Sequence, residues 1–228
     1  MYRKYFKRLF DIIFSFVSLV LLSPVLLAVA WTVRVKLGSP VIFKQPRPGK
    51  DEKIFTLYKF RTMTDERDEN GNLLPDGERL TPLGRFLRST SMDELPELWN
   101  ILKGEMSIVG PRPLLVKDMV FMTKEQRMRH SVRPGLTGWA QVNGRNNVTW
   151  EEKLDLDLEY LKRVTFLNDI KIIIMTLIKV LKGSGVNTDG MDTAEDLGDY
   201  LLRRGWASKE EYLKKINENK SIIKSFYE

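Results

Sequence analysis

Cysteine is absent from the 228-residue chain, and histidine occurs once, at His130. No disulfide framework, thiol chemistry or cysteine-ligated metal is therefore available, and one imidazole cannot build a histidine cluster. Aspartate and glutamate remain as the acids, bases or hard-metal ligands. A strand running into a glycine-rich phosphate loop is also missing, which excludes a Rossmann-type nucleotide domain. There is no internal repeat, no low-complexity segment and no recognisable nucleic-acid module. The net charge of +7 thus points to anionic phospholipid or phosphate-bearing molecules, and nucleic acid is not an expected partner.

What the chain does have is a 22-residue uncharged run from Ile12 to Val33, with Ser23-Pro24 at its midpoint. A straight helix of that length would reach roughly 33 Å, enough to cross a bilayer core. Proline inside a helix removes one backbone bond and kinks it, and the Ser23 hydroxyl can satisfy a carbonyl so released. Arg3, Lys4, Lys7 and Arg8 precede the run, and Arg34, Lys36, Lys44, Arg47 and Lys50 follow it. Cations on both flanks favour keeping both ends on one side of a membrane, hence a re-entrant hairpin kinked at Ser23 and Pro24. A bitopic helix and a cleaved signal peptide ending near Ala28-Val29-Ala30 are the competing readings.

Beyond residue 36 the pattern predicts a catalytic domain over 37–197 and a polar, helical tail over 198–228. Val41–Phe43 and Ile54–Tyr58 read as short strands around a turn, Gln45-Pro46-Arg47-Pro48-Gly49. Thr64–Glu78 reads as a surface loop, and helical patterns follow at Leu83–Leu87, Asp93–Leu102 and Glu151–Arg163. Asn168–Lys182, rich in Ile and Leu with interspersed Lys, suits either a core helix or an amphipathic helix in a membrane interface. The expected fold class is mainly α with a few short β-strands, carried by a monotopic membrane protein with a re-entrant N-terminal helix and interfacial helices.

Ser91-Met92-Asp93-Glu94-Leu95-Pro96 has two readings. One is a helix start with Ser91 and Glu94 as a capping box, which Pro96 fits poorly. The other is a carboxylate pair at a helix N-terminus, one carboxylate acting on phosphorus and one on Mg²⁺. Arg88 stands just before the pair, Arg112 between two prolines and Arg145 in Asn-Gly-Arg-Asn; Lys59 and Arg61 follow a strand. Guanidinium groups bind phosphate oxygens in two-point fashion, so this set suggests a diphosphate site. His130 reads as structural or interfacial.

Lys59-Phe60-Arg61-Thr62-Met63, Asp93–Asn100, Val109–Pro113, and Arg133–Gly138 running on to Gly144-Arg145-Asn146 resemble, in order, the monotopic phosphoglycosyl transferases among bacterial sugar transferases. Arg67-Asp68-Glu69 and Trp139-Ala140-Gln141 are most similar to the branch that transfers diacetylbacillosamine phosphate; the tail beyond about Leu197 is longer than that branch has. The resemblance implies that Asp93 attacks the β-phosphate of an N-acetylated UDP-sugar and expels UMP. Undecaprenyl phosphate then takes the sugar phosphate from Asp93, at the cytoplasmic face of the bacterial inner membrane. It implies Asp93 and Glu94 as catalytic and Mg²⁺-holding residues, and Lys59, Arg88, Arg112 and Arg145 as substrate-binding residues. A membrane-bound Mg²⁺-dependent nucleotide-sugar pyrophosphatase and a non-catalytic membrane adaptor stay open as alternatives.

Overall fold

The computed structural model describes residues 1–144, 148–182 and 195–228, so Arg145 lies outside the described residues. The fold is mainly helical with short strands, as expected. A short helical lead-in, Tyr2–Phe6, opens into α1 (Lys7–Leu21), which bends by 63° into α2 (Ser23–Leu37). Pro24 offers no N–H to Val20, four residues back, and the Ser23 hydroxyl donates to that carbonyl at 2.8 Å instead. No single helix among the described residues is long and apolar enough to cross a membrane, whereas this bent pair is so by length and composition.

β1 (Ile42–Pro48) and β2 (Ile54–Phe60) form an antiparallel pair, with Ile42 opposite Phe60 and Pro48 opposite Ile54. The stretch 45–48, expected as a turn, is strand. Gly49 donates to Lys53, so the N–H groups facing β2 come from odd-numbered residues, and the prolines at 46 and 48 fall on the outer edge where no donor is needed. The actual turn is at Lys50–Glu52, where Asp51 and Glu52 take positive φ.

Next come α3 (Pro82–Ser89), a 3-10 turn at Met92–Glu94 and α4 (Glu97–Lys103). The helix expected from Asp93 thus begins at Glu97, with Pro96 at its N-cap, where its missing N–H costs nothing. β3 (Ser107–Val109) pairs in parallel with β4 (Gly135–Thr137), a buried pair that three-residue segments gave no periodicity to foretell. The longer remaining helices are α5 (Val116–Phe121), α6 (Trp139–Asn143), α7 (Trp150–Lys162), α8 (Phe166–Leu181), α9 (Leu197–Arg203) and α10 (Lys209–Tyr227); single helical turns stand at Asp76–Arg79, where the expected Thr64–Glu78 loop ends, and at Lys124–Arg127.

Three clusters hold these elements. Phe55, Leu57, Ile101, Ile108, Tyr160 and Ile172 centre the first, beneath α1. Val29 and Val33 of α2 meet Phe60 and Leu87 in another; burying each valine contributes about 1.5–3 kcal/mol. Leu114, Phe121 and Leu154 join Leu197 and Tyr200 in the third, with Tyr212 and Ile216 of α10 packed against it. Polar ties fix α1 to this body. Arg8 donates to the Ile101 and Leu102 carbonyls at 2.6 and 2.8 Å, satisfying the open end of α4. Asp11 accepts from the Ser107 hydroxyl and the Ile108 N–H, both at 3.0 Å. α8 buries Ile172 and Asp169 on one side and leaves Leu167, Ile174, Leu177 and Ile178 exposed, so part of its apolar surface is outside the core.

Candidate active site

Asp93 and Glu94 occupy the 3-10 turn between α3 and α4, and the capping box that one of the two readings placed there does not form. Ser91 adopts the left-handed region at φ 55° and its side chain caps nothing. A non-glycine residue held there is mildly strained, and in this chain the strain lies two residues from Asp93. Glu94 turns instead to two cations: Lys59 Nζ and Arg112 Nη2 each reach its Oε1 at 2.6 Å. Lys59 shares the strand face of the buried Phe55 and Leu57, at the edge of the core, so its ammonium lies beside the turn.

Lys59 also pairs with Glu97 Oε1 at 3.2 Å, and Glu97 is almost fully buried. That third carboxylate went unassigned from sequence, although it stands three residues after Glu94 in the same motif. Asp93 is buried too, yet among the described residues it forms no ion pair. Burial, then the charge of Glu94, push its carboxyl up to about 6. Burial acts on Glu94 in the same sense, but Arg112 and Lys59 override it and hold the carboxyl well below the usual range. Glu97 is raised by burial and by Glu94, and Arg112 is raised chiefly by the charge of Glu94. One carboxylate is thus clamped ionised beside another that is not clamped.

Arg88 extends from α3 and donates from Nε to the Thr62 hydroxyl at 3.2 Å. Its charge, with those of Lys59 and Arg112, favours ionised Asp93. Gly84 makes this approach possible, because a Cβ there would lie 1.9 Å from the Thr62 carbonyl oxygen. The structure therefore brings Lys59, Arg88 and Arg112 around Asp93 and Glu94. Arg61 goes elsewhere: it donates to the Leu37, Ser39 and Met63 carbonyls and pairs with Asp65, tying the end of α2 to β2. His130 is buried and pushed down to about 4 by burial and Arg129, and so is neutral.

Two further cations flank Arg112 without having been expected at the site. Arg47 donates to Gln45 Oε1 and the Pro113 carbonyl, and burial together with Arg112 push it down to about 10. Lys153 on α7, over the Trp150 ring, is lowered by the same two causes. Neither belongs to a local pattern that sequence could expose.

Mg²⁺ takes one or two protein carboxylates and fills its octahedron with water and substrate phosphates. Among the described residues no group of three or more acidic or histidine ligands is arranged for a metal. Asp93, unpaired and hard, next to the second oxygen-donor side chain of Glu94, fits the sparser magnesium mode on donor chemistry.

Residues 2–183 match the family described as bacterial sugar transferase, and the chain belongs to that family. It is 53% identical over 189 residues to the uncharacterized sugar transferase EpsL of Bacillus subtilis (strain 168), covering 83% of this chain and 94% of that protein. The UDP-glucose:undecaprenyl-phosphate glucose-1-phosphate transferase of Klebsiella pneumoniae is 42% identical over 184 residues, 76% of this chain and 40% of its own. The undecaprenyl-phosphate galactose phosphotransferase of Salmonella typhimurium is 36% identical over 199 residues, 80% and 42% respectively. The chain therefore spans about two-fifths of the length of these last two relatives.

Proposed function

We propose that this chain moves a sugar 1-phosphate from a UDP-sugar to undecaprenyl phosphate through a covalent intermediate on Asp93, the first membrane step of a glycoconjugate pathway. The observation that carries this reading is the asymmetry of the carboxylate pair, Glu94 clamped by Lys59 and Arg112 beside an Asp93 without an ion pair. An Asp93 carboxylate oxygen attacks the β-phosphorus, and the bond from that phosphorus to the bridging oxygen breaks, releasing UMP. A phosphate oxygen of the lipid then attacks the same phosphorus, yielding the lipid diphosphate sugar and regenerating the carboxylate. Arg112 and Arg88 present donors to the transferring phosphoryl group, and Lys59 keeps Glu94 and Glu97 in place. Arg145, by the resemblance, adds a further phosphate contact. Mg²⁺, held by Asp93 and Glu94, would supply charge neutralisation on the diphosphate.

The names of the Klebsiella and Salmonella relatives support the lipid acceptor and a hexose phosphate cargo. The resemblance to the diacetylbacillosamine branch favours an N-acetylated sugar. The bent pair α1–α2, with basic flanks, supports a re-entrant element that keeps Asp93 at the cytoplasmic face of the bacterial inner membrane. The exposed apolar side of α8 suits a helix lying in the interface.

Intact mass spectrometry tests the reading. Full-length protein is incubated with Mg²⁺ and, separately, UDP-linked diacetylbacillosamine, N-acetylglucosamine, N-acetylgalactosamine, glucose and galactose, without lipid. The expected result is a gain of one sugar phosphate on wild type with an accepted donor and none on Asp93→Asn. Turnover with undecaprenyl phosphate but no adduct from any donor would replace the covalent route by direct transfer. UMP release at full rate without lipid would instead indicate hydrolysis.

A further inference from the structure

Prolines at 111 and 113 contribute no N–H, so the loop bearing Arg112 is held largely through its carbonyl oxygens. Three in succession are engaged. Pro111 accepts from the Gly135 N–H at 2.9 Å, Arg112 from Arg129 Nη2 at 2.6 Å, and Pro113 from Arg47 Nη1 at 3.1 Å. Gly110 and Gly135 allow the first of these, since a Cβ on Gly135 would lie 2.1 Å from the Gly110 nitrogen.

The donor to Arg112 is a buried guanidinium. Arg129 and Asp157 are each 2% exposed, and Asp157 Oδ2 receives Arg129 Nε at 3.0 Å and Nη2 at 2.7 Å. Nη2 is thus shared between the Asp157 carboxylate and the Arg112 carbonyl. A buried ion pair is a poor source of stability, because desolvation offsets the attraction and apolar side chains of similar volume often serve as well. What an apolar pair cannot do is place a charged donor on a particular backbone oxygen. Here that oxygen belongs to the residue whose guanidinium, at its other end, meets Glu94 at 2.6 Å. Arg112 is therefore fixed at both its backbone and its tip.

We propose that Arg129 and Asp157 are positioning residues for the transfer reaction, setting the Arg112 guanidinium by holding the Arg112 carbonyl. Neither ion-pairs with Asp93, Glu94 or Glu97, so their effect on rate passes through Arg112. The inference rests on the proposed role of Arg112 at the transferring phosphoryl group.

The test is a double-mutant cycle on the full-length protein. Arg129→Lys keeps the charge and loses the fork, and Asp157→Asn keeps the shape and loses the charge. The rate of adduct formation on Asp93 is followed by intact mass with the accepted UDP-sugar and Mg²⁺, for each variant alone and combined with Arg112→Ala. Displacing a phosphate-binding group by a fraction of an ångström to an ångström slows chemistry about 10- to 100-fold, and that loss is expected in the single variants. In the Arg112→Ala background the same substitutions should cost less than about twofold more. Equal losses in both backgrounds would overturn the proposal, because a purely structural pair acts whether or not Arg112 is present. If Arg129→Lys does not fold, Arg129→Gly with added guanidinium replaces it: the cation should restore the rate only where Arg112 remains, and rescue without Arg112 counts against the idea. If wild type forms no adduct at all, the reaction reading fails by itself. The cycle is then read through calorimetric binding of UDP-N-acetylglucosamine, where coupling between 129 and 112 sustains the positioning role and additivity ends it.

Discussion

Along α1 the buried side chains are Asp11 and Ser15, while Phe14, Phe16, Val17 and Leu21 are exposed; around Asp93 the carboxylates are buried or half-buried, and each of Glu94 and Glu97 has a cation against it. Both regions withdraw carboxylates from most of the surrounding water, and they compensate differently. Asp11 is met by two neutral donors from β3, which fasten the helix. Glu94 is met by Lys59 and Arg112, which fasten a charge beside Asp93. The outer surfaces differ in the same way. Trp31 of α2 at 72% and Leu167 of α8 at 79% exposure each mark an apolar face that would be unfavourable against water at about 25 cal/mol per Å². Against acyl chains, as proposed for these segments, the same faces are the stable ones.

The largest effect that would break this contrast is Arg112→Ala. Removing one preorganised donor to a transferring group typically costs about 10²–10³ in rate, and Arg112 also neutralises Glu94, so under the proposed mechanism adduct formation should slow by at least about 100-fold. Stopped-flow or quench-flow loading of Asp93 measures it. A loss under about threefold would show that Glu94 is the only partner Arg112 serves. Asp11→Ala sharpens the other side: it strands the Ser107 hydroxyl and the Ile108 N–H and should cost about 3 kcal/mol in denaturant unfolding of detergent-solubilised protein. Phe16→Ser, on the exposed side, should change that stability by less than about 0.5 kcal/mol.

A smaller effect separates function from stability at Asp93 itself. Its carboxyl is raised from an ordinary 3.8 to about 6, so the folded protein binds this proton more readily than the unfolded chain does. Ionised Asp93 therefore costs stability above pH 6, the cost fades between about pH 6 and 4, and it is absent below the unfolded value. At about 1.4 kcal/mol per unit, Asp93→Asn should be more stable than wild type by about 3 kcal/mol at pH 8 and equal to it near pH 4. The proposed loading, which needs the carboxylate, should rise with pH as Asp93 ionises, and Mg²⁺ on Asp93 would move that rise to lower pH. A variant no more stable than wild type at pH 8 would mean that the surrounding cations already offset the burial of Asp93.

How legible this was depends on how local each signal is. The apolar run broken by Pro24 and the adjacent pair Asp93-Glu94 are compact and could be read from residue order. Glu94 drew a capping-box reading because a cap is a local rule, and the structure gives it stronger partners from β2 and the Gly110–Pro113 loop, 35 and 18 residues away. Arg129 and Asp157 show no pattern at all, since a pair 28 residues apart has meaning only after folding. Prolines at 46 and 48 read as a turn because turn preference is scored one residue at a time, whereas an edge strand tolerates them by which side its N–H groups face. Arg61 was grouped with the site cations by type, but three carbonyl acceptors claim it.

A further small effect concerns the bend between α1 and α2. Ser23 compensates for what Pro24 lacks by donating to the Val20 carbonyl, so Ser23→Ala should cost only about 0.5–1 kcal/mol and leave the bend in place. Pro24→Ala restores the donor and removes the ring clash, so α1 and α2 can continue as one helix long enough to span. Cysteines substituted at Lys4 and Lys50 report the outcome through a membrane-impermeant thiol reagent, with no native cysteine to interfere. For the proposed re-entrant topology both sites react from the cytoplasmic side only, in the parent and in Ser23→Ala, while Pro24→Ala moves part of one site to the other side. Opposite-side labelling in the parent would make the segment a kinked span and leave the apolar face of α1–α2 as ordinary transmembrane surface. Unchanged same-side labelling in Pro24→Ala would instead assign the hairpin to the anchors on its inner face, Arg8 and Asp11 on α1 and Val29 and Val33 on α2, with the proline merely tolerated at a bend that tertiary contacts impose.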